Sequence, residues 1–171
     1  MKKKAKSIVL FIALLAIAYA LIRIGFDTRF HLKQIKRFSE YESSCEKISE
    51  YILSQGEGDY HIQYNTDSNK YILSKRSGRH WDDPYIDIDM PDELQPLIPD
   101  LYHGFYEMTH EYGVDWIDVE NESVIYWEMN YGGKLIYTKD GQVDERHKSN
   151  ADYREYYKIN DNWYAVFISL I

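Results

Sequence analysis

Residues 7–22 read SIVLFIALLAIAYALI and contain no charged side chain. The basic cluster Lys2-Lys3-Lys4-Ala5-Lys6 precedes them, and Arg23 follows directly. A run of 16 residues is slightly shorter than the roughly 20 that a helix needs to cross a hydrocarbon core of about 30 Å. Lys6 and Arg23 can extend it, because their long side chains lie along apolar surface while their charges reach the headgroups. The stretch therefore predicts a transmembrane helix.

Two other interpretations of this stretch remain open. A basic start, a short apolar segment and the triplet Ala18-Tyr19-Ala20 are also typical of a cleaved secretory signal, and the buried helix of a soluble protein would be apolar as well. Apolar residues continue after the triplet, at Leu21, Ile22, Ile24 and Phe26. This continuation favours an uncleaved anchor. We therefore expect a basic start and a single transmembrane anchor in residues 1–28, and a separate domain in residues 29–171.

Basic residues flank the apolar stretch on both sides, so the cytoplasmic preference of Lys and Arg is nearly balanced. Those after it are Arg23, Arg29, Lys33, Lys36 and Arg37. The four lysines before it lie at the very start of the chain, and a long C-terminal domain can cross a membrane despite nearby positive charge. We therefore expect a single-pass protein of the cell membrane, held in the lipid bilayer, with a cytoplasmic N-terminus and an extracytoplasmic domain.

The domain after the anchor is strongly acidic. The chain has 20 Lys and Arg and 28 Asp and Glu, and residues 1–26 hold five of the basic residues and none of the acidic ones. Residues 27–171 therefore hold 15 basic and 28 acidic side chains, a formal balance of −13. Nucleic acid is not expected as a partner, because binding to phosphates depends on a basic surface. An acidic surface favours solubility or a protein partner with a basic surface.

The order of patterns in residues 29–171 predicts an α+β domain. Apolar residues at three- and four-residue steps predict an amphipathic helix of about five turns that ends near Gln55-Gly56. The stripe consists of Ile35, Phe38, Tyr41, Cys45, Ile48 and Ile52. A hairpin and the short strand Tyr85 to Met90 follow, then a helix from Asp100 to Tyr112 and a run of four or five strands that a polar loop from Gln142 to Asp152 interrupts. We expect both helices to pack on one face of a mostly antiparallel sheet.

Tyrosine and cysteine usage adds two expectations. Seventeen tyrosines and four tryptophans suit a packed sheet, and they also suit a recognition surface. Cys45 is the only cysteine, so an internal disulfide is excluded. Because Cys45 lies on the apolar stripe of the first helix, we expect a small buried side chain and not a nucleophile. Ser44-Cys45-Glu46-Lys47 spells S-x-x-K but lacks the companion motifs of that active site.

Two groups of residues have side chains of the kind that ligate metals. One is acidic, and calcium takes several oxygen ligands; it comprises Asp82, Asp83, Asp87 and Asp89, with Asp92 and Glu93 nearby. The other lies on one helix face and has zinc-ligand chemistry; it comprises His103, Glu107, His110 and Glu111. The first group does not follow the calcium-loop spacing, and Val114 stands where an H-E-x-x-H motif needs its second histidine. Both groups are more typical of solvated surfaces, and we predict no cofactor.

Three functional hypotheses follow. The first is a membrane-anchored, non-catalytic binding or accessory domain at the outer face of the membrane, supported by the anchor, the acidic surface and the aromatic residues. The second is an immunity-type or inhibitory protein that neutralises a basic partner, which requires a concentrated negative patch. The third is a metal-dependent or carboxylate-dependent enzyme, which requires the acidic or histidine groups to converge in a pocket. We favour the first hypothesis.

Overall fold

The computed structural model describes most of the chain after residue 31. The described residues are 14–15, 17–19, 32–78, 80, 82–109, 113–127, 133–148 and 154–168. They divide into two units, Met1–Lys36 and Arg37–Ile171. In the first unit, residues 14–15, 17–19 and 32–36 are helical. No helix among the described residues is long and apolar enough to cross a membrane, and the predicted anchor lies largely outside the described residues.

The second unit is an α+β domain, as predicted. Its helices are α1 (Glu42–Ser54), a 3-10 turn (Gln95–Leu97), α2 (Ile98–Thr109) and the short α3 (Glu145–Lys148). Its strands are β1 (Gly58–Asn65), β2 (Lys70–Arg76), β3 (Tyr85–Ile88), β4 (Trp116–Glu120), β5 (Ser123–Trp127), β6 (Lys134–Thr138), β7 (Arg154–Lys158) and β8 (Trp163–Ile168). The strands form one eight-stranded sheet in the order β3-β2-β1-β4-β5-β6-β8-β7, with every pair antiparallel.

Turn residues fix the register of two hairpins. Between β1 and β2, the Asn65 side-chain oxygen accepts hydrogen bonds from the backbone N–H groups of Asp67 and Ser68, the usual role of asparagine in a turn. Between β4 and β5, Asn121 and Glu122 have φ angles of 46° and 58°. A two-residue loop with both φ angles positive matches the right-handed twist of the strands on either side of it.

Helices α1 and α2 pack together and cover one face of the sheet. The apolar stripe of α1 is buried, as its spacing predicted, and so are large aromatic side chains of the sheet beneath it. The buried residues of this core include Cys45, Ile48, Ile52, Leu101, Phe105, Tyr60, Tyr126, Leu135 and Trp163. Gly104 allows the two helices to approach closely, because a Cβ atom there would lie 2.9 Å from Cys45 Sγ.

The opposite face of the sheet has an apolar half and a polar half. On β5, β6 and β8, the buried side chains are Ile125, Ile136, Tyr164 and Val166. Val143, from the segment between β6 and α3, is buried against them. This second, smaller core closes the β5–β8 half of the face, while the β1–β4 half carries polar side chains in the same rows.

Two predicted element boundaries were wrong. The first helix was predicted as continuous, but residues 39–41 form a turn between helical residues 32–38 and α1; the backbone N–H of Tyr41 donates to the carbonyl of Phe38 at 2.8 Å. The segment from Gln142 to Asp152 was predicted as a polar loop, but it contains α3 and the buried Val143 and His147.

Candidate binding site

The polar half of the second sheet face, which we call the open face, consists of side chains from β1 to β4. They include Asp59, His61, Ser74, Arg76, Tyr85, Asp87, Trp116 and Asp118. All are exposed or half-buried except Ser74, which is buried. The strand register places them in rows that run across the sheet, so groups far apart in the sequence become neighbours.

Asp59 and Asp118 are directly opposite each other on the neighbouring strands β1 and β4. Opposed side chains on antiparallel strands lie on the same face with their Cβ atoms about 5 Å apart, which brings the two carboxyl groups into contact. Burial, together with hydrogen bonding and charge repulsion from Asp59, raises the pKa of Asp118 to about 6. Such a pair shares a proton in mildly acidic solution, because two adjacent carboxylates repel each other.

Two tryptophans line one side of the Asp118 carboxyl. Trp116 Nε1 donates to Asp118 Oδ2 at 3.4 Å, and the rings of Trp116 and Trp127 stack with centroids 5.6 Å apart. The buried indole N–H of Trp127 also lowers the pKa of Asp118, although it makes no hydrogen bond of good geometry. These donors offset part of the effect of burial, but the pKa of Asp118 stays above its ordinary value.

Arg76 and Tyr85 border the pair on its other side. Arg76 forms an ion pair with Asp59 at 2.9 Å and donates a hydrogen bond to the Tyr85 hydroxyl at 3.0 Å. The Tyr85 ring also lies near the guanidinium, 5.4 Å from its carbon to the ring centroid. One arginine therefore serves two carboxyl groups, and the Asp59 side chain remains 38% exposed.

The covered half of the face carries its own polar contacts. Glu120 accepts hydrogen bonds from Arg146 at 3.0 Å and contacts His147 Nε2 at 2.6 Å. Lys134 is buried, with its ammonium 3.8 Å from the centroid of the Trp127 ring. The contacts of Glu120 hold α3 against the sheet next to the open face. The Trp127 ring lies between the Lys134 ammonium and the Trp116 ring.

The structure does not bring the predicted acidic group together as a metal site. Asp83 accepts a hydrogen bond from the backbone N–H of His80, and Asp87 accepts one from the Ser74 hydroxyl. Asp82 and Asp89 are exposed. Among the described residues, no group of three or more His, Cys, Asp or Glu side chains could hold a metal ion.

The predicted histidine group is likewise spread over separate contacts. The His103 ring stacks on Tyr41, with centroids 5.6 Å apart, and Glu107 forms an ion pair with Arg37 at 3.1 Å. His110 and Glu111 lie outside the described residues. In the S-x-x-K stretch, the Ser44 hydroxyl donates to Asp100 at 2.7 Å, and burial raises the pKa of the Cys45 thiol to about 12, with the Asp100 charge adding to the effect.

One feature of the sequence could have drawn attention to Asp118. Residues 80–133 contain 14 Asp and Glu and neither Lys nor Arg. The stretch includes β3, α2, β4 and β5, so it supplies Asp118 and the edge of the sheet next to the open face. Asp59 carries no comparable signal, because its importance comes only from the pairing of β1 with β4.

Comparison with family models, with curated proteins and with solved structures finds no match for this chain. The function is therefore inferred from the chemistry of the open face.

A contacting carboxyl pair has two chemical uses, proton transfer and cation binding. Proton transfer to a substrate requires a pocket that holds the substrate against the pair. Cation binding requires only access from solvent, which the half-exposed Asp59 provides. The open face therefore meets the requirement for binding a positively charged group.

Proposed function

We propose that the chain is a membrane-anchored, non-catalytic binding domain at the outer face of the membrane, and that its partner is a protein with a basic surface. The observation that carries this proposal is the contact between Asp59 and Asp118 on the open face. The anchor and its orientation rest on the apolar stretch and the lysine cluster at the start of the chain.

The carboxyl pair has two acidic groups beside one arginine, and a partner can supply further positive charge. Arg76 forms its ion pair with Asp59, and its charge also acts on Asp118. Burial and the Asp59 carboxyl nevertheless keep the pKa of Asp118 above its ordinary value. A Lys or Arg side chain from a partner would be attracted to both carboxylates and would displace the shared proton. Charged hydrogen bonds of this kind are stronger than neutral ones. Trp116 and Tyr85 offer aromatic surface on which such a side chain can lie.

Photo-crosslinking in cells tests this proposal. A photoreactive residue replaces the exposed Gln63, which lies on the same side of β1 as Asp59, in the full-length chain. A second variant carries it at the exposed Lys139, next to the covered half. We expect one protein with a basic surface to be crosslinked from position 63 and not from position 139, and we expect Asp59→Asn with Asp118→Asn to abolish the adduct.

Two outcomes would contradict the binding role. If positions 63 and 139 give the same adducts, the partner does not bind the open face specifically. An adduct that survives the double substitution would show that the carboxyl pair is not the binding site. In parallel, external protease and the mass of the mature chain test the anchor: digestion of a full-length, membrane-bound species supports it, whereas a shortened mature chain or complete protection contradicts it.

A second candidate, an immunity-type or inhibitory protein, is supported by residues 80–133, which contain 14 Asp and Glu and neither Lys nor Arg. Negative charge suits the neutralisation of a basic effector, since complementary charge speeds association and excludes wrong partners. The test is to assay the crosslinked partner alone and with an equimolar amount of the full-length chain. Inhibition that the Asp59→Asn and Asp118→Asn substitutions remove supports this candidate, and unchanged activity rejects it.

A further inference from the structure

Strand β3 lies at one end of the sheet. It pairs with β2 along one edge, and within the described residues no strand pairs with its other edge. A free strand edge presents backbone N–H and C=O groups to which another chain can add. An extended peptide that binds in this way gains affinity from main-chain hydrogen bonds and specificity from its alternating side chains.

The pairing with β2 shows which backbone groups of β3 are free. The Ser77 N–H donates to the Pro84 carbonyl at 2.9 Å, which marks that opposed pair as hydrogen-bonded. Hydrogen-bonded and non-hydrogen-bonded pairs alternate along antiparallel strands. Ile86 therefore directs its backbone groups towards β2, and Tyr85 and Asp87 direct theirs to the free edge.

The side chains of β3 divide by charge and polarity between the two sides of the strand. Ile86 is 60% exposed and Tyr85 is 41% exposed. Asp87 and the following Asp89 are exposed on the same side as Tyr85. Ile86 is therefore apolar surface beside the outer edge of β3, and an added strand would cover it.

The described positive side chains of β2, the neighbour of β3, are already engaged. On β2, Lys70 pairs with Asp92 at 2.6 Å, Lys75 donates to the Gln55 carbonyl at 2.9 Å and Arg76 pairs with Asp59. Asp87 and Asp89 also line a cleft of about 620 Å³, together with the paired Lys70 and Asp92. The cleft is large enough for a long side chain, and because acidic side chains outnumber the single lysine in its lining, it favours a basic one.

We propose that β3 binds an extended, basic segment of a protein partner by antiparallel strand addition. Residues of that segment opposite Asp87 are Lys or Arg, and the alternate residues are apolar and pack beside Ile86. This inference rests on the proposed function and specifies how the partner is held. A second copy of this chain would place one acidic edge against another, and like charges opposed across strands are destabilising.

A synthetic probe tests the geometry without knowledge of the partner. The probe is an acetylated, amidated heptapeptide of alternating Lys and Val, titrated into the purified full-length chain in detergent micelles. In antiparallel addition, the lysines opposite Asp87 direct their backbone N–H groups towards β3. We expect methylation of the lysine backbone nitrogens to weaken binding about tenfold or more, and methylation of the valine nitrogens to leave it nearly unchanged.

Substitutions in β3 provide the matching test on the protein. Asp87→Pro removes the outward N–H and the charge, whereas Asp87→Asn removes the charge alone. We expect a loss of about tenfold or more for the proline variant and a loss of roughly two- to fourfold for the asparagine variant. Circular dichroism and thermal unfolding check that Asp87→Pro remains folded.

Several results would overturn strand addition. Equal binding of the two methylated peptides would show attraction by charge alone, and equal losses in the two Asp87 variants would show the same. Self-association that Asp87→Pro abolishes would assign the edge to a second copy. A failure of strand addition leaves the crosslink from position 63 intact, whereas a failure of the proposed function removes that crosslink or its dependence on Asp59 and Asp118.

Discussion

Asp59 on β1 and Asp118 on β4 are opposed across two neighbouring strands, and burial together with the Asp59 carboxyl raises the pKa of Asp118 to about 6. The two carboxyl groups meet although a hairpin, a third strand and α2 separate their strands in the sequence. The pair is destabilising when both groups are ionised, because each raises the energy of the other's charge. A cation that binds between the two carboxylates relieves this repulsion, so the repulsion favours cation binding.

Asp118→Asn is expected to stabilise the chain near neutral pH. The pKa of Asp118 rises from 3.8 to about 6 in the folded chain, so the stabilising contribution of the bound proton is complete below about pH 3.8 and is lost as pH rises through 6. We expect the free energy of unfolding of Asp118→Asn to be about 1–2 kcal/mol higher than that of the wild type at about pH 7.5, after allowance for solvent screening. The difference should vanish near pH 4.

Thermal unfolding of the full-length chain in detergent micelles across this pH range is the measurement for Asp118→Asn. Asp67→Asn, which replaces an exposed carboxyl in the β1–β2 turn, is the matched control and should show no such pH dependence. If Asp118→Asn is no more stable than the wild type near neutral pH, the carboxyl pair is not strained.

The hydroxyls of Ser49 and Tyr126 form a buried hydrogen bond of 2.7 Å between α1 and the sheet. Ser49 donates its proton to the Cys45 carbonyl at 2.8 Å, so Tyr126 is the donor in the bond between them. Ser49→Ala removes the acceptor of the Tyr126 hydroxyl and should lower the free energy of unfolding by about 2 kcal/mol. Tyr126→Phe should lower it by about 1 kcal/mol.

A double-mutant cycle in denaturant unfolding tests this bond. The double substitution Ser49→Ala with Tyr126→Phe removes both groups, so it should cost clearly less than the sum of the single losses. Additive losses would mean that the two hydroxyls do not interact.

Gly104 holds α1 and α2 close together. A Cβ atom there would lie 2.9 Å from Cys45 Sγ and 3.3 Å from the Phe38 ring. Gly104→Ala should destabilise the chain by about 1–3 kcal/mol despite the higher helix propensity of alanine. Cys45→Ala in the same chain should restore part of that loss, because it removes the sulfur atom. A stabilising effect of Gly104→Ala alone would contradict the close approach.

The Cys45 thiol should be unreactive in the folded chain. Burial and the nearby Asp100 charge raise its pKa to about 12, and the thiolate is the form that reacts with alkylating reagents. We expect iodoacetamide to modify Cys45 only after unfolding, as read from the mass of the intact chain. Rapid modification under native conditions would place Cys45 at the surface.

Periodicity predicted the helices and most strands because it reports which side of an element is buried. Ile48 and Ile52 are buried in α1 as their spacing required. The turn at residues 39–41 escaped prediction because the apolar period continues through Tyr41 without Gly or Pro. Val143 escaped because a single apolar residue in a polar segment makes no pattern, although it closes the second core.

The candidate site was not predictable from local patterns. Asp59 and Asp118 each occupy a polar position in an alternating strand, where a solvated side chain is the ordinary expectation. Their contact depends on the order of strands in the sheet, which places β4 beside β1. The density of carboxylates raised Asp82, Asp83, Asp87 and Asp89 as an alternative metal site, although their spacing favoured a solvated surface. In the structure, Asp83 and Asp87 accept hydrogen bonds from different partners.

The most direct test of the carboxyl pair is calorimetric titration of the full-length chain with the partner crosslinked from position 63. The wild type is compared with Asp59→Asn plus Asp118→Asn, and with Asp67→Asn plus Glu122→Gln, which removes the same charge from exposed turns. We predict a loss of about tenfold or more in the first variant only, and roughly fourfold weaker wild-type binding at about pH 5.5 than at pH 7.5. Equal losses in the two variants, or affinity independent of pH, would contradict binding at Asp59 and Asp118.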